Sequence, residues 1–182
     1  GACVPTLDNN GISDLGDVSV DQITGKSFQK EASGVNVTIT CGAPTKMGVW
    51  ITDNRNDTAV SGLTGFTDRS MLGLGQTAAG DNIGAYVVYL ENWVIDGVAG
   101  QGISAPEDNQ TSWEILDGGV PYVSNRGTPD IATGALKGTL TPLAFTVMTF
   151  RINPVVNLST DVKSITDVTN IDGNATLSFE YL

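Results

Sequence analysis

The stretch Asp172-Gly173-Asn174-Ala175-Thr176-Leu177-Ser178-Phe179-Glu180-Tyr181-Leu182 places apolar residues at every second position after an Asp-Gly turn. Ala175, Leu177, Phe179 and Tyr181 alternate with Thr176, Ser178 and Glu180. A period of two is that of a β-strand with one buried face and one wet face. The pattern runs to the last residue, so the chain is expected to stop in mid-strand, with no solubilising tail. Such a strand, with free backbone groups along its edge, suits pairing with a strand of another molecule. The expectation is an assembly subunit and not an enzyme.

The same period recurs upstream. Val35 to Cys41 alternates cleanly, and over 45–52 Met47, Val49 and Ile51 share a face opposite Gly48, Trp50 and Thr52. Gly42-Ala43-Pro44 reads as a short, kinked connection between these two strands. Strand signal returns at 83–90 and again at 143–154, while Asn10-Gly11 and Val18 to Val20 read as short strands and turns. Residues 53–82 and 96–135 read as long irregular regions; the second holds only brief strand-like pieces near Trp113 to Ile115 and Tyr122-Val123. No fixed-period repeat or linker interrupts the chain. Residues 1–182 are therefore expected to form one all-β domain, an antiparallel β-sandwich with decorated connections.

Composition agrees. The chain has 182 residues, 22 glycines and only 16% charged residues, which suits a turn-rich all-β protein. Its net charge of −11 repels phosphates and anionic headgroups, which argues against nucleic acid and membrane surfaces as partners. No run approaches the roughly 18 apolar residues that cross a bilayer. Gly1-Ala2-Cys3 begins directly with folded-looking sequence; in a mature secreted form, a signal peptide would already be gone.

Histidine is absent, which removes the usual general base at neutral pH and the Ser-His and Cys-His pairs. Gly73-Leu74-Gly75-Gln76-Thr77 lacks the Gly-Lys and the strand–helix setting of a phosphate loop. Paired carboxylates could hydrolyse a glycoside without histidine. Here Asp96-Gly97, Asp117-Gly118 and Asp172-Gly173 are turn pairs, in which Asp has a conformational reason to be present. Asp53-Asn54-Arg55-Asn56-Asp57 fails the EF-hand pattern, with Arg55 at a ligand position and Thr58 where Gly belongs. An arginine–carboxylate turn tying down a strand end accounts for it better. No catalytic residue, metal or cofactor is assigned. Trp93 and Trp113 fall in or beside irregular segments and could stack on sugar rings; the competing reading has both capping the core. Trp50 reads as packing, and the sequons at Asn36 and Asn174 lie in strands.

The two cysteines, Cys3 and Cys41, have no neighbouring Cys or His and so cannot build a standard zinc site. One disulfide, and with it an oxidising compartment, is the expectation, against the alternative of two buried free thiols.

Several segments, in order along nearly the whole chain, resemble fimbria-like bacterial proteins of the GltF type, a family of unknown function. They are Gly1-Ala2-Cys3-Val4-Pro5, Asn36 to Pro44, Asp53-Asn54-Arg55, Leu72-Gly73-Leu74-Gly75, Ile83-Gly84-Ala85 and Ile171 to Leu182. The cysteine spacing and the penultimate Tyr181 are, more broadly, similar to subunits of chaperone–usher pili. That resemblance implies an incomplete immunoglobulin-like (pilin-type) sandwich, completed by a donor strand from a periplasmic chaperone and later from a neighbouring subunit. The acceptor groove would be lined by the apolar faces of the first strands and of the last strand, with Ala175, Leu177, Phe179 and Tyr181 named on the last. The implied partners are the chaperone, the usher and neighbouring pilus subunits, with a host glycan or surface receptor beyond them. The implied course is secretion, periplasmic transit and residence in a fimbrium at the cell surface. Pilins carry a longer extension before the first cysteine, whereas only Gly1 and Ala2 precede Cys3 here. The alternatives are an extension outside this sequence, an acceptor-only tip subunit, or a fold complete without a donor. A carbohydrate-binding adhesin module and a stand-alone periplasmic fimbria-like protein remain the alternative functions.

Overall fold

The computed structural model describes residues 2–23, 27–160 and 171–182; Gly1 of the first matching segment lies outside them. The strands are β1 (Cys3–Leu7), β2 (Ser27–Glu31), β3 (Val35–Thr45), β4 (Met47–Asp53), β5 (Leu72–Gly73), β6 (Gly84–Ile95), β7 (Val98–Pro106), β8 (Glu114–Ile115), β9 (Asp130–Leu136), β10 (Phe145–Ser159) and β11 (Ala175–Tyr181). All pairings between them are antiparallel. The main path runs β1-β3-β10-β6-β7-β9-β4-β11.

The sheet folds over at β7. Val98 and Ala99 pair with β6, whereas Gly100 to Pro106 pair with β9. Two layers result, β1-β3-β10-β6 and β7-β9-β4-β11, and the fold is an all-β antiparallel sandwich. Alternation puts Val37 and Ile39 of β3, Met47, Val49 and Ile51 of β4, and Met148 and Phe150 of β10 into one shared core. Full burial of each such side chain contributes about 1.5–3 kcal/mol.

The clear strands of the sequence reading are present, and several are longer than the pattern suggested. Gly42-Ala43-Pro44 is not a connection: it continues β3 as part of a bulge, since Phe145 pairs with Thr45 but Val147 already pairs with Thr40. The 96–135 region carries β7 and β9 and is not mainly irregular. Ser27–Glu31 forms a strand the pattern did not single out, while Val18 to Val20 is not one. Pro154, which lacks an N–H, sits in β10 between its last rung to β3 and its first to β2.

The β6–β7 hairpin turns at Asp96 and Gly97, both at positive φ (48° and 80°), as a type I′ turn requires. Asp96 Oδ1 accepts from Thr146 N (3.0 Å), Thr146 Oγ1 (2.9 Å) and Val147 N (2.9 Å), and so fastens the start of β10 to the turn. The Val147 amide, then the Thr146 hydroxyl, hold this carboxyl below its ordinary value of 3.8. A depressed folded pKa gives stability that is present above 3.8 and lost as pH falls through the folded value. Asp96→Ala is therefore expected to lower the melting temperature at neutral pH, with the gap to wild type closing below about pH 3.8. A pH series of thermal melts checks it.

Candidate functional site: an open seam between the first and last strands

Among the described residues the path of strands does not close. β1 and β11 are its two ends; among the described residues β1 pairs with β3 and β11 with β4. Between these ends lies a groove of about 410 Å³. Its floor is apolar: Val35, Ile152, Val88 and Val156 come from the first layer, and Ile51 and Leu177 from the second. Ile12 and Leu15, from the segment after β1, stand at its rim. A seam with an apolar floor, flanked by the two strands that end the path among the described residues, has the geometry that accepts an extended strand.

The two ends of the groove differ. At one, β1 and β11 approach each other, and Cys3 N donates to the hydroxyl oxygen of Tyr181 (3.2 Å). The Cys3–Cys41 disulfide joins directly opposed residues of β1 and β3 and holds this wall in place. At the other end, the turn after β4 grips the start of β11. Arg55 donates from Nε (3.1 Å) and a terminal nitrogen (2.8 Å) to Asp172 Oδ2. Asn54 Nδ2 donates to Asn174 Oδ1 (2.8 Å) and Thr176 Oγ1 (2.9 Å). The arginine–carboxylate reading of residues 53–57 is the one that holds.

Asp53 organises this end from within. It is 1% exposed, and its carboxylate accepts from Arg55 N (2.9 Å) and Gly73 N (2.8 Å). Its own N–H donates to Asn125 Oδ1 (2.6 Å). Burial pushes the Asp53 carboxyl above its ordinary value, against the pull of those two amides. Tyr86 lines the groove nearby. Burial, helped by Asp53 and Asp172, raises its pKa, so the hydroxyl stays protonated and able to donate.

Of the residues assigned to the groove from sequence, Ala175 and Leu177 line it. Phe179 is half-buried against the core cluster beside Leu177. Tyr181 is 57% exposed and acts through its hydroxyl at the closed end. The apolar face of β11 is thus only partly covered, because no described strand lies on its far side. The two tryptophans are not brought together as a ligand surface. Trp93 is 4% exposed within β6, stacks on Phe150 at 4.4 Å and donates Nε1–H to Leu90 O (3.2 Å). Its indole is core, which corrects the sugar-stacking role weighed for it. Trp113 is half-buried just before β8. The first-layer floor of the groove was not picked out from sequence; the buried phases of β6 and β10 were the only signal available.

A disulfide-tied, all-β sandwich with an open seam is the class of protein that the fold and site define. Residues 1–87 match the family model described as protein of unknown function (DUF1120). The chain is similar to protein GltF of Escherichia coli (strain K12), 29% identical over 221 aligned positions that take in 100% of this chain and 84% of that protein. It is also similar to the uncharacterized protein YhcF of the same organism, 28% identical over 127 positions covering 60% of this chain and 50% of that one. The likeness to the GltF type carried by the sequence segments is borne out. No helix among the described residues is long and apolar enough to cross a membrane.

Proposed function

We propose that this chain is a non-enzymatic assembly subunit of a fimbria-like surface structure, and that its seam accepts a strand from another molecule. The observation that carries this reading is the pairing of an apolar-floored groove with two flanking strands that end the sheet. An inserted strand would satisfy backbone groups on both flanks and set alternate side chains on Val35, Val88, Ile152 and Leu177. On this reading the sandwich is an incomplete immunoglobulin-like one. A periplasmic chaperone supplies the first strand, and a neighbouring subunit replaces it after passage through the usher. The disulfide suits that oxidising route.

The test is capture of synthetic strand peptides with alternating apolar residues, followed by surface resonance and thermal melts. Wild-type chain should bind with slow dissociation and melt at a higher temperature when bound. Leu177→Asp puts an unpaired charge on the groove floor and should abolish capture. Equal capture by that variant, or no capture by wild type, would remove the assignment.

A further inference from the structure

A second concavity, of about 520 Å³, lies on the first layer and meets the seam groove only at Ala32 and Pro154. Strand register explains it. Glu31, Val155 and Val87 lie in one cross-strand row and Asn153 and Tyr89 in the next, with Arg151 paired to Glu91 in a third. Side chains two apart on a strand share a face, so these rows form one surface. Gln29, Glu31, Tyr89, Glu91 and Asn153 give the concavity its chemistry.

Its polar groups are held in advance. Asn153 Nδ2 donates to Glu91 Oε2 (2.8 Å), and Arg151 Nε donates to Asn153 Oδ1 (3.1 Å). Arg151 NH1 reaches Asn36 Oδ1 (3.0 Å), and Asn36 is fixed by Asp8 through Nδ2 (2.9 Å) and its backbone N–H (2.7 Å). The ladder thus runs from the segment after β1, across β3 and β10, to β6. Gly34 makes room for it: a Cβ there would stand 2.4 Å from both Arg151 Nε and Asn153 Oδ1. Tyr89 is braced by Phe66, with ring centroids 5.9 Å apart and an interplanar angle of 82°.

The chemistry selects the ligand. Both cations nearby are engaged: Arg151 within the ladder, and Lys30 Nζ with Asp17 O (3.3 Å). Glu31 and Glu91 outnumber Lys30, the one cation in the lining, and with a net charge of −11 an anionic ligand meets net repulsion. A wall of amide, carboxylate and phenol groups offers little to an apolar ligand. It matches a molecule with several hydroxyls, which can donate to carboxylates and accept from amides. The size falls within the usual range for small-molecule sites. We propose that this concavity binds a neutral saccharide unit, with Glu91 and Asn153 engaging adjacent hydroxyls and Tyr89 forming the wall beside the ring. The residues assigned to the sugar, Glu91, Asn153 and Tyr89, do not line the seam.

Saturation-transfer NMR on the wild-type chain would use galactose, mannose and N-acetylglucosamine, with sialic acid as anionic control and spermidine as cationic control. At least one neutral sugar should give saturable transfer, and sialic acid none. Glu91 is exposed, so Glu91→Ala should leave the melting temperature unchanged while weakening that sugar by about tenfold or more. Tyr89→Phe keeps the ring and should weaken it less. No neutral-sugar binding, equal binding of sialic acid, preference for spermidine, or full binding by Glu91→Ala would each overturn the proposal.

Discussion

Replacing Cys3 and Cys41 by alanine is expected to destabilise the fold by about 4 kcal/mol, the chain-entropy value for a cross-link of this span. The bond closes a separation of 38 residues. Its structural importance exceeds that figure, because β1 is five residues long and lies at one end of the sheet. Without the cross-link, β1 depends on its ladder to β3 and on the contact between Cys3 N and Tyr181. One wall of the groove is therefore expected to loosen, and strand capture to weaken with it. Urea unfolding of wild type, reduced wild type and the double alanine variant measures the loss. A change below about 1 kcal/mol would mean the open chain is already constrained without the bond.

Asp53→Ala is expected to cost about 2–4 kcal/mol, since two amides lose a charged acceptor. The Gly73 amide is buried, and the turn from Asn54 to Arg55 that grips β11 loses its internal anchor. The loss should extend to function by freeing the Arg55–Asp172 end of the groove. The pH dependence runs opposite to that of Asp96. A carboxyl whose folded pKa is raised contributes stability that is full below 3.8 and declines as pH rises through the folded value. The advantage of wild type over Asp53→Asn, which does not titrate, should therefore shrink between pH 4 and neutrality. An advantage that grows over that interval would contradict the burial argument.

The strands easiest to read from the sequence were those with one face in the core and the other in water. β3 shows that alternation and β4 shows it in part, whereas β11 alternates in sequence but is only half-buried or exposed along its length; the Asp-Gly pair at 96–97 marked its hairpin. β7, with glycines at 100 and 102, was hidden within the 96–135 region that read as irregular. Gly102 is in fact a packing glycine: a Cβ there would stand 2.5 Å from Trp93 Nε1. The same contact explains why Trp93 looked like a loop aromatic and is a core one. A small residue on the facing strand makes its pocket, and no local pattern carries that information.

The site was legible by halves. Period-two alternation picked out Ala175 and Leu177, which line the groove, together with Phe179 and Tyr181, which do not, and Asp53-Asn54-Arg55 was recognised as a strand-tying turn. The opposite wall was not, because Val35, Val88, Ile152 and Val156 lie on interior strands and differ from other core residues only by facing the gap between the two ends of the path. That is a property of topology. The polar ladder escaped for a similar reason: Asp8, Asn36, Arg151 and Glu91 are far apart in sequence and meet only through strand register.

The most direct measurement is denaturant unfolding of a self-complemented chain. After Leu182 it would carry an Asn-Gly turn and an alternating valine–threonine strand long enough to run back along β11. Filling the seam should add backbone pairing to β11 and cover Leu177 and Val88, which predicts a gain of several kcal/mol and loss of peptide capture. Unchanged stability, with capture intact, would mean the seam does not take a strand, and the proposal of an assembly subunit would fall with it.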